Sequence, residues 1–254
     1  MNIHNNTVLI SGGSAGIGLE IAQLLIEKGN HVIITGRNRQ RLDAAAAQLG
    51  NVTAIPFDVT SEEEVDALVK KITSDHPGLN VLINNAGLGH TYSLIAGTRA
   101  WEKAAEEMNT NYISTIRLTE MLLPLLQKQK EAAVVNVTSI AAFYPNIKIP
   151  TYSASKAALH SYSMALRLVL RESVVKVFEL MPPLVSTDFS ESIGGKENGI
   201  PAVEVASALM TALENDDYEI RVGKTEKIYE LGRTWALAAL HALNGMPPPE
   251  DPAK

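Results

Sequence analysis

The chain has 254 residues and a net charge of −6, with 46% hydrophobic and 20% charged residues. This composition is typical of a globular protein with a large apolar core, and the acidic balance argues against a nucleic-acid partner, since such proteins carry basic patches. Cysteine is absent, which excludes disulfides, thiolate metal sites and cysteine nucleophiles. We expect no bound metal.

Neither end of the chain carries a targeting or membrane signal. Residues 1–13 lack a basic region followed by an apolar core, so we predict no signal peptide and a cytoplasmic protein. The apolar stretch at 234–245, TWALAALHALNG, is shorter than the about 20 residues that span a bilayer, so we predict no membrane span. Residues 247–254 are rich in proline and charge and are predicted to form a flexible tail.

Short β-branched runs alternate along the chain with segments of helical periodicity. Strands are predicted over residues 7–11, 31–36, 52–57, 81–87, 133–139, 174–181 and 218–224. Helices are predicted over residues 16–29, 38–50, 61–76, about 99–129 with an interruption at Pro124, 151–171, 204–213 and 227–245. Near-continuous apolar strands between helices predict one α/β domain over residues 1–246, a Rossmann-type doubly wound parallel sheet with helices on both faces.

The first predicted strand runs into the glycine-rich stretch SGGSAGIG at residues 11–18. Glycines let the backbone approach a pyrophosphate closely, and the N-terminus of the following helix favours its negative charge. The alternative is a tight turn without a ligand. The position of the stretch at a strand-to-helix junction favours a dinucleotide site formed by Gly12, Ser14, Gly16, Ile17 and Gly18.

The second predicted strand ends at Gly36 and Arg37, without an acidic residue. An acid at this point holds the ribose 2′-hydroxyl of NAD, whereas an arginine accommodates the 2′-phosphate of NADP. We therefore predict NADP(H) as the cofactor, with Arg37 and the Ser14 hydroxyl at the 2′-phosphate. The alternative is that Arg37, Arg39 and Arg41 only form the solvated basic start of a helix.

Five motifs follow one another along the chain: the glycine loop, NNAG at 84–87, Asn111, Ser139 and YSASK at 152–156. Together they resemble the short-chain dehydrogenase/reductase family, over about residues 5–225. The resemblance implies an NADP(H)-dependent oxidoreductase that interconverts a small-molecule carbonyl and a secondary alcohol, as a homodimer or homotetramer. A looser resemblance is to a bacterial subgroup of oxidoreductases accessory to teichoic-acid D-alanylation.

Tyr152 and Lys156 are the candidate catalytic pair. Hydride transfer to a carbonyl builds an alkoxide that needs a proton, which the Tyr152 phenol can donate. Lys156 lies one helical turn further on, and its charge, like that of an oxidised nicotinamide nearby, is expected to lower the tyrosine pKa. Ser139 is expected to hold the substrate oxygen, and the resemblance implies that Lys156 binds the nicotinamide ribose and that Asn111 anchors a proton-relay water. Taken singly, each residue also has a structural explanation, such as packing, solvation, a turn or a helix kink.

The resemblance also implies further cofactor contacts. They are Asp58 and Val59 at the adenine, Asn85, Ala86 and Gly87 at the ribose, and Val185 and Thr187 at the nicotinamide carboxamide. Pro183 stands where the family usually has a glycine, which removes a backbone donor and fixes φ, so the local loop shape is expected to change.

Residues 88–94, 141–151 and 184–201 are expected to surround the nicotinamide, and the last of these, with three glycines, is predicted to be a mobile lid. The pocket is expected to be largely apolar. Its predicted lining is Phe143, Tyr144, Leu184 and Phe189, with His90 and Tyr92 as polar contacts. The apolar helix predicted at 227–245 packs either on its own core or on another subunit.

Two other functions stay open from the sequence. An epimerase or dehydratase uses the same tyrosine–lysine pair but carries a larger C-terminal substrate domain than the about 70 residues left here. A non-catalytic nucleotide-binding or scaffold protein on the same fold would be expected to lose members of the Asn–Ser–Tyr–Lys set, all of which are present.

Overall fold

The structure of the protein, a computed structural model, describes residues 1–247. The predicted tail at 247–254, except for Pro247, lies outside the described residues. The strands are β1 (Thr7–Ser11), β2 (His31–Gly36), β3 (Val52–Pro56), β4 (Leu79–Asn84), β5 (Ala132–Val137), β6 (Val175–Met181), β7 (Val185–Ser186), β8 (Ile200–Pro201) and β9 (Glu219–Arg221). The helices are α1 (Gly16–Glu27), α2 (Arg39–Leu49), α3 (Glu62–Asp75), α4 (Ala100–Met108), α5 (Ser114–Leu126), α6 (Pro150–Val169), α7 (Gly195–Asn198), α8 (Ala202–Asn215), α9 (Lys224–Thr234) and α10 (Ala236–Leu243).

Seven of the strands form one parallel sheet in the order β3-β2-β1-β4-β5-β6-β9, and β7 pairs separately with β8. The strand order reverses between β1 and β4, which are neighbours in the sheet but are separated in the chain by β2 and β3. In open α/β sheets this reversal opens a crevice at the carboxyl ends of the two strands, where ligands bind.

Apolar side chains on the two faces of the sheet form separate cores. Val8 and Ile10 face the layer of α1 and α8, where they pack with Ile21 and other buried residues. Leu9, on the opposite face, belongs to the core with α3 and α5. Each fully buried aliphatic side chain contributes about 1.5–3 kcal/mol relative to exposure. The predicted Rossmann-type sheet, covered by helices on both faces, is confirmed.

Two predicted helices differ from the structure. The segment at 99–129 is interrupted by a single π-helical turn at Asn109–Ile113 and continues through Pro124 to Leu126. Proline removes one backbone donor, and only two helical residues follow it here, so the helix ends soon after rather than breaking. The predicted helix at 227–245 is two helices, separated by Trp235, whose φ of −151° is extended.

Among residues 1–247, no helix combines the length and the apolar character that crossing a bilayer requires.

Candidate active site

The glycine loop connects β1 to α1 in a shape that requires glycine. Gly12 and Gly16 have φ of +67° and +54°, a region that side chains of L-residues rarely occupy. A side chain on Gly12 would lie 3.0 Å from the Ala86 Cα. One on Gly18 would lie 2.5 Å from Asn85 Nδ2 and closer still to the carbonyl oxygen of Gly12. The loop therefore closes tightly on the end of β4 only because these side chains are absent.

The ends of β1 and β4 are tied together by side chains. Asn85 Nδ2 donates to the carbonyl oxygens of Ser11 (3.1 Å) and Gly12 (2.9 Å). Ser11 Oγ accepts from the backbone N–H groups of Asn85 (3.0 Å) and Ala86 (3.1 Å). At the start of α1, Ala15 offers no capping side chain, so the first N–H groups of the helix stay free for an anion. A narrow backbone cradle beside a free helix N-terminus fits a pyrophosphate.

The carboxyl ends of β2 and β3 bring three predicted cofactor residues together. A side chain on Gly36 would lie 3.0 Å from Ser14 Oγ, and the exposed Arg37 comes directly after it. Burial raises the pKa of Asp58, but hydrogen bonds from Thr60 and the charge of Arg37 outweigh it and leave the pKa below its usual value. Arg37 thus lies close enough to Asp58 for its charge to act there, and directly follows Gly36, which packs against the Ser14 hydroxyl.

Ser139, Tyr152 and Lys156 meet at the carboxyl end of β5. Ser139 has an extended backbone and caps a short 3₁₀ helix, Ile140–Ala142, by accepting a hydrogen bond from the N–H of Ala141. Tyr152, in the first turn of α6, lies close enough to Ser139 for the serine side chain to lower the pKa of its phenol. Lys156 Nζ lies 5.6 Å from the centroid of the Tyr152 ring and donates to the carbonyl oxygen of Val137 at 2.8 Å. All three site side chains are buried.

Asn111 lies in the π-helical turn and is completely buried. Its Oδ1 accepts from the N–H of Leu88 (2.7 Å), and its Nδ2 donates to the Leu88 carbonyl oxygen (2.8 Å) and to Ser155 Oγ (2.8 Å). A side chain on Gly87 would come within 3.5 Å of Asn111 Oδ1 and 3.8 Å of Lys156 Nζ. The structure therefore brings Asn111 to the same side of Gly87 as Lys156.

The predicted lowering of the Tyr152 pKa is wrong for the protein chain by itself, in which this pKa is raised. Burial is the main cause and raises the pKa of the phenol; the neighbouring Ser139 side chain lowers it by less, and the charge of Glu107 raises it slightly further. Burial also lowers the pKa of Lys156 to about 8, partly offset by Glu179. Removing both groups from water disfavours their charged forms more than their spacing favours them.

Two buried carboxylates near the site were not predicted from the sequence. Glu107 has no solvent exposure, and its Oε1 accepts from the N–H of His90 at 2.7 Å. Its Oε2 has no hydrogen-bond partner among residues 1–247. Glu179, also fully buried, lies on β6. Signals for both exist in the sequence, since Glu107 precedes Asn111 by one helical turn and Glu179 interrupts an apolar strand.

The predicted pocket residues fall into two groups. The Phe189 ring lies 5.6 Å from the Tyr152 ring, and a side chain on Gly89 would touch both rings. Phe143 instead packs against Tyr229 of α9, and Tyr144 packs against the Gly232 backbone of the same helix. The polar candidates are engaged locally: His90 Nε2 lies 2.8 Å from a Glu106 carboxylate oxygen, and the Tyr92 hydroxyl lies 2.6 Å from Thr151 Oγ1.

The segment predicted as a lid has structure of its own. Its ends are joined where β7 pairs with β8, with Val185 opposite Ile200. Thr91 Oγ1 and Ser192 Oγ lie 2.7 Å apart and connect the segment to the loop after β4. Thr187 contacts the glycine loop, since a side chain on Gly16 would lie 3.0 Å from its methyl group.

The loop around Pro183 keeps its backbone hydrogen bonds on either side of the proline. The carbonyl oxygen of Pro182 accepts from the N–H of Ile140, and that of Leu184 accepts from the N–H of Ile200. Of the other predicted contacts, Ile17 and Val59 are half-buried and pack on the two apolar cores.

Residues 6–198 match the family model of the short chain dehydrogenases. The chain belongs to the short-chain dehydrogenase family. Two relatives agree with this assignment. The uncharacterized oxidoreductase DltE of Bacillus subtilis (strain 168) is 40% identical over 237 residues, which cover 92% of this chain and 94% of the relative. Serine 3-dehydrogenase of Agrobacterium fabrum is 34% identical over 189 residues, which cover 73% of this chain and 74% of the relative.

Solved structures of short-chain dehydrogenases superpose on nearly the whole chain. A short chain dehydrogenase from Burkholderia cenocepacia J2315 in complex with NADP has a TM-score of 0.85 at 26% identity, covering 97% of this chain and 100% of that one. Another from Burkholderia phymatum in complex with NAD has a TM-score of 0.84 at 19% identity, with 99% of each chain covered, and supports the fold alone. The predicted family is confirmed, and this short-chain dehydrogenase is an oxidoreductase.

Proposed function

We propose that this short-chain dehydrogenase uses NADP(H) to interconvert a carbonyl and a secondary alcohol, with Tyr152 as the general acid and base. The observation that carries the proposal is the position of Tyr152. Its phenol lies close enough to Ser139 for the serine to shift its pKa, and its ring centroid lies 5.6 Å from Lys156 Nζ, in a buried site.

The side chains of the site suit proton transfer to a carbonyl oxygen. A bound nicotinamide cofactor supplies the hydride. Ser139 Oγ orients the substrate oxygen, and Tyr152 donates the proton that the developing alkoxide requires. Because burial raises the pKa of Tyr152, the phenol is protonated at neutral pH and ready to act as an acid. Lys156, with a pKa of about 8, is mostly charged there and stabilises the phenolate that remains.

Asn111 supports the return of a proton to Tyr152. Its amide is held by Leu88 and Ser155, so the side chain has one orientation. A carboxamide oxygen has two lone pairs, and Leu88 N–H uses one of them. The second, on the side of Gly87 shared with Lys156, can hold a water that passes protons to the lysine. The proposed role of Asn111 is therefore to position this water.

The preference for NADP(H) rests on Arg37. Arg39 is paired with Asp43 within α2 at 2.9 Å, whereas Arg37 acts on Asp58 and follows Gly36, which lies against the Ser14 hydroxyl. A guanidinium grips a phosphate with two parallel hydrogen bonds. One solved short-chain dehydrogenase at 26% identity holds NADP and another at 19% holds NAD, so the proposed preference rests on Arg37 itself. The glycine loop and its helix N-terminus would hold the pyrophosphate, while Asn85, Ala86, Gly87, Val185 and Thr187 would contact the ribose and carboxamide.

One experiment tests the reaction. Purified protein is assayed with NADPH or NADP⁺ against a panel of ketones, aldehydes, secondary alcohols and hydroxy amino acids, the last because one relative is a serine 3-dehydrogenase. Tyr152→Phe is expected to lose at least about 10²-fold in kcat, the usual contribution of a general acid, and to keep its NADPH Kd. The matched control Tyr162→Phe, on the same helix, is expected to keep full turnover. Full activity of Tyr152→Phe contradicts the proposal.

We also propose that the protein is a cytoplasmic homo-oligomer. Large apolar side chains are exposed next to one another in the last turn of α6, where Leu168 is 64% and Val169 is 75% exposed. Excess apolar surface on a helix favours burial against another subunit. Light scattering of the purified protein at micromolar concentration tests the assembly, and a monomer mass contradicts it.

A further inference from the structure

Beneath the site lies a buried carboxylate that the mechanism above does not use. Glu179, on β6, has no solvent exposure. Its Oε1 accepts from Thr138 Oγ1 at 2.7 Å, and both of its carboxylate oxygens lie 2.9 Å from His160 Nδ1. Burying a charge in an apolar strand is costly unless it is paired, so the position calls for a physical reason.

The contacts of Glu179 lead to the catalytic residues from two sides. Thr138 stands between Val137, whose carbonyl oxygen accepts from Lys156 Nζ at 2.8 Å, and Ser139. His160 follows Lys156 by one turn of α6 and therefore lies on the same helix face. The carboxylate and the lysine ammonium are thus bound by two consecutive residues, Thr138 and Val137, at the end of β5, and by side chains on adjacent turns of α6.

We propose that Glu179 is a positioning residue that supplies the buried counter-charge of the Lys156 ammonium and, through Thr138, fixes the strand end that carries Ser139. The inference rests on the proposed function, since it assigns a task within the same proton-transfer site.

The charges around Glu179 support this assignment. Glu179 raises the pKa of Lys156, against the larger lowering by burial. The Glu179 hydrogen bond also raises the pKa of His160. Two more charged groups face the histidine: Glu219 on β9, which raises its pKa, and Arg167 on α6, which lowers it.

Glu219 provides a natural control. It is paired with Arg167 at 3.0 Å and with Arg221 at 2.7 Å. Arg221 in turn binds Glu226 at 2.8 Å. Glu219 raises the pKa of His160 but does not shift the pKa of Lys156. Its charge is instead compensated by Arg167 and Arg221, outside the site.

The pH titration of Lys156 tests the proposal and does not require an assay of enzymatic turnover. Protein labelled with ¹³C-lysine is titrated by NMR, with the Lys156 Cε resonance assigned by its loss in Lys156→Met. Glu179→Gln, close to isosteric, is expected to move the Lys156 midpoint down by about one pH unit, the lower end of the effect of a nearby opposite charge. Glu219→Gln is expected to leave it in place. An unchanged midpoint in a folded Glu179→Gln variant overturns the proposal, including when the variant has only lost thermal stability.

If the Glu179→Gln variant does not fold, a measurement on the wild-type chain still tests the proposal. The carboxyl carbon of Glu179 should show an inflection at the Lys156 midpoint, because its chemical shift responds to the loss of a neighbouring positive charge. Absence of the inflection overturns the proposal.

The kinetic consequence follows if the proposed reaction is present. The alkaline limb of kcat/KM for carbonyl reduction should move down in Glu179→Gln by the same amount as the Lys156 midpoint, and a limb that stays in place overturns the assigned task. A wild-type enzyme without turnover on any carbonyl contradicts the proposed function, whereas the two NMR titrations still decide whether Glu179 is the counter-charge.

Discussion

Gly18→Ala tests whether the tight closure of the glycine loop is what prepares the cofactor cradle. The new methyl group would lie 2.5 Å from Asn85 Nδ2 and closer to the Gly12 carbonyl oxygen, whereas ordinary carbon contacts are 3.4–4 Å. The loop must therefore retreat by about 1 Å. Overpacking of this kind costs about 1–3 kcal/mol, and each kcal/mol lowers the Tm of a chain of this size by about 2–4 °C.

The same retreat moves backbone donors away from the pyrophosphate. Loss of one charge-assisted hydrogen bond costs about 1.5–3 kcal/mol, and every 1.4 kcal/mol is about tenfold in Kd. Titration of NADPH fluorescence should show a Kd raised by about 10- to 100-fold for Gly18→Ala, and thermal unfolding should show the lowered Tm. The control is Gly78→Ala, where the nearest atom to the new methyl group is 3.9 Å away. NADPH affinity within about twofold of wild type, at an unchanged Tm, would refute the reasoning.

Two further predictions concern charge. Arg37→Ala should lower kcat/KM with NADPH by at least about tenfold, because one charge-assisted contact to the 2′-phosphate is lost, and should leave kcat/KM with NADH nearly unchanged. Arg39→Ala is the control. An equal loss of kcat/KM with both cofactors contradicts the assignment of Arg37 to the 2′-phosphate. Glu107→Gln should lower the pKa of Tyr152, because Glu107 raises it. The pH midpoint of alcohol oxidation is then expected at lower pH in Glu107→Gln and unchanged in the control Glu106→Gln. An unchanged midpoint in Glu107→Gln shows that the charge of Glu107 does not affect the Tyr152 phenol.

Much of the fold could be predicted from the sequence because it depends on local patterns. Apolar runs, glycine stops and capping residues mark the strands and helices to within a few residues, as at α3, where Ser61 Oγ accepts from the Glu64 N–H. Most predicted site residues follow the end of a strand or lie on the helix after it, so the parallel sheet inferred from periodicity also brings them to one edge.

The rest could not be predicted, because it depends on tertiary packing and on the local dielectric. The spacing of Tyr152 and Lys156 establishes that they are neighbours, but the direction of their pKa shifts depends on how deeply the assembled domain buries them. The sequence does carry a signal for Glu107, one turn before Asn111, and for Glu179, within an apolar strand, but the partners of each carboxylate are set only by the folded chain. Phe143 was predicted to line the pocket, yet its direction is set by α9, which comes more than 80 residues later.

The π-helical turn at Asn109–Ile113 has a geometric consequence for the helices on either side. One residue more than an α-helical turn needs rotates everything after it by about 100°. Glu107, before the turn, and Asn111, within it, can therefore both face the site, while the apolar stripe of α5, with Leu118 and Leu122, still faces the sheet. In a regular α-helix of the same sequence, Glu107 and Asn111 could not face the site while Leu118 and Leu122 face the sheet. Removing one residue from the turn would put the two halves out of phase with their partners, so this short stretch is less tolerant of deletion than its place in a long helix suggests.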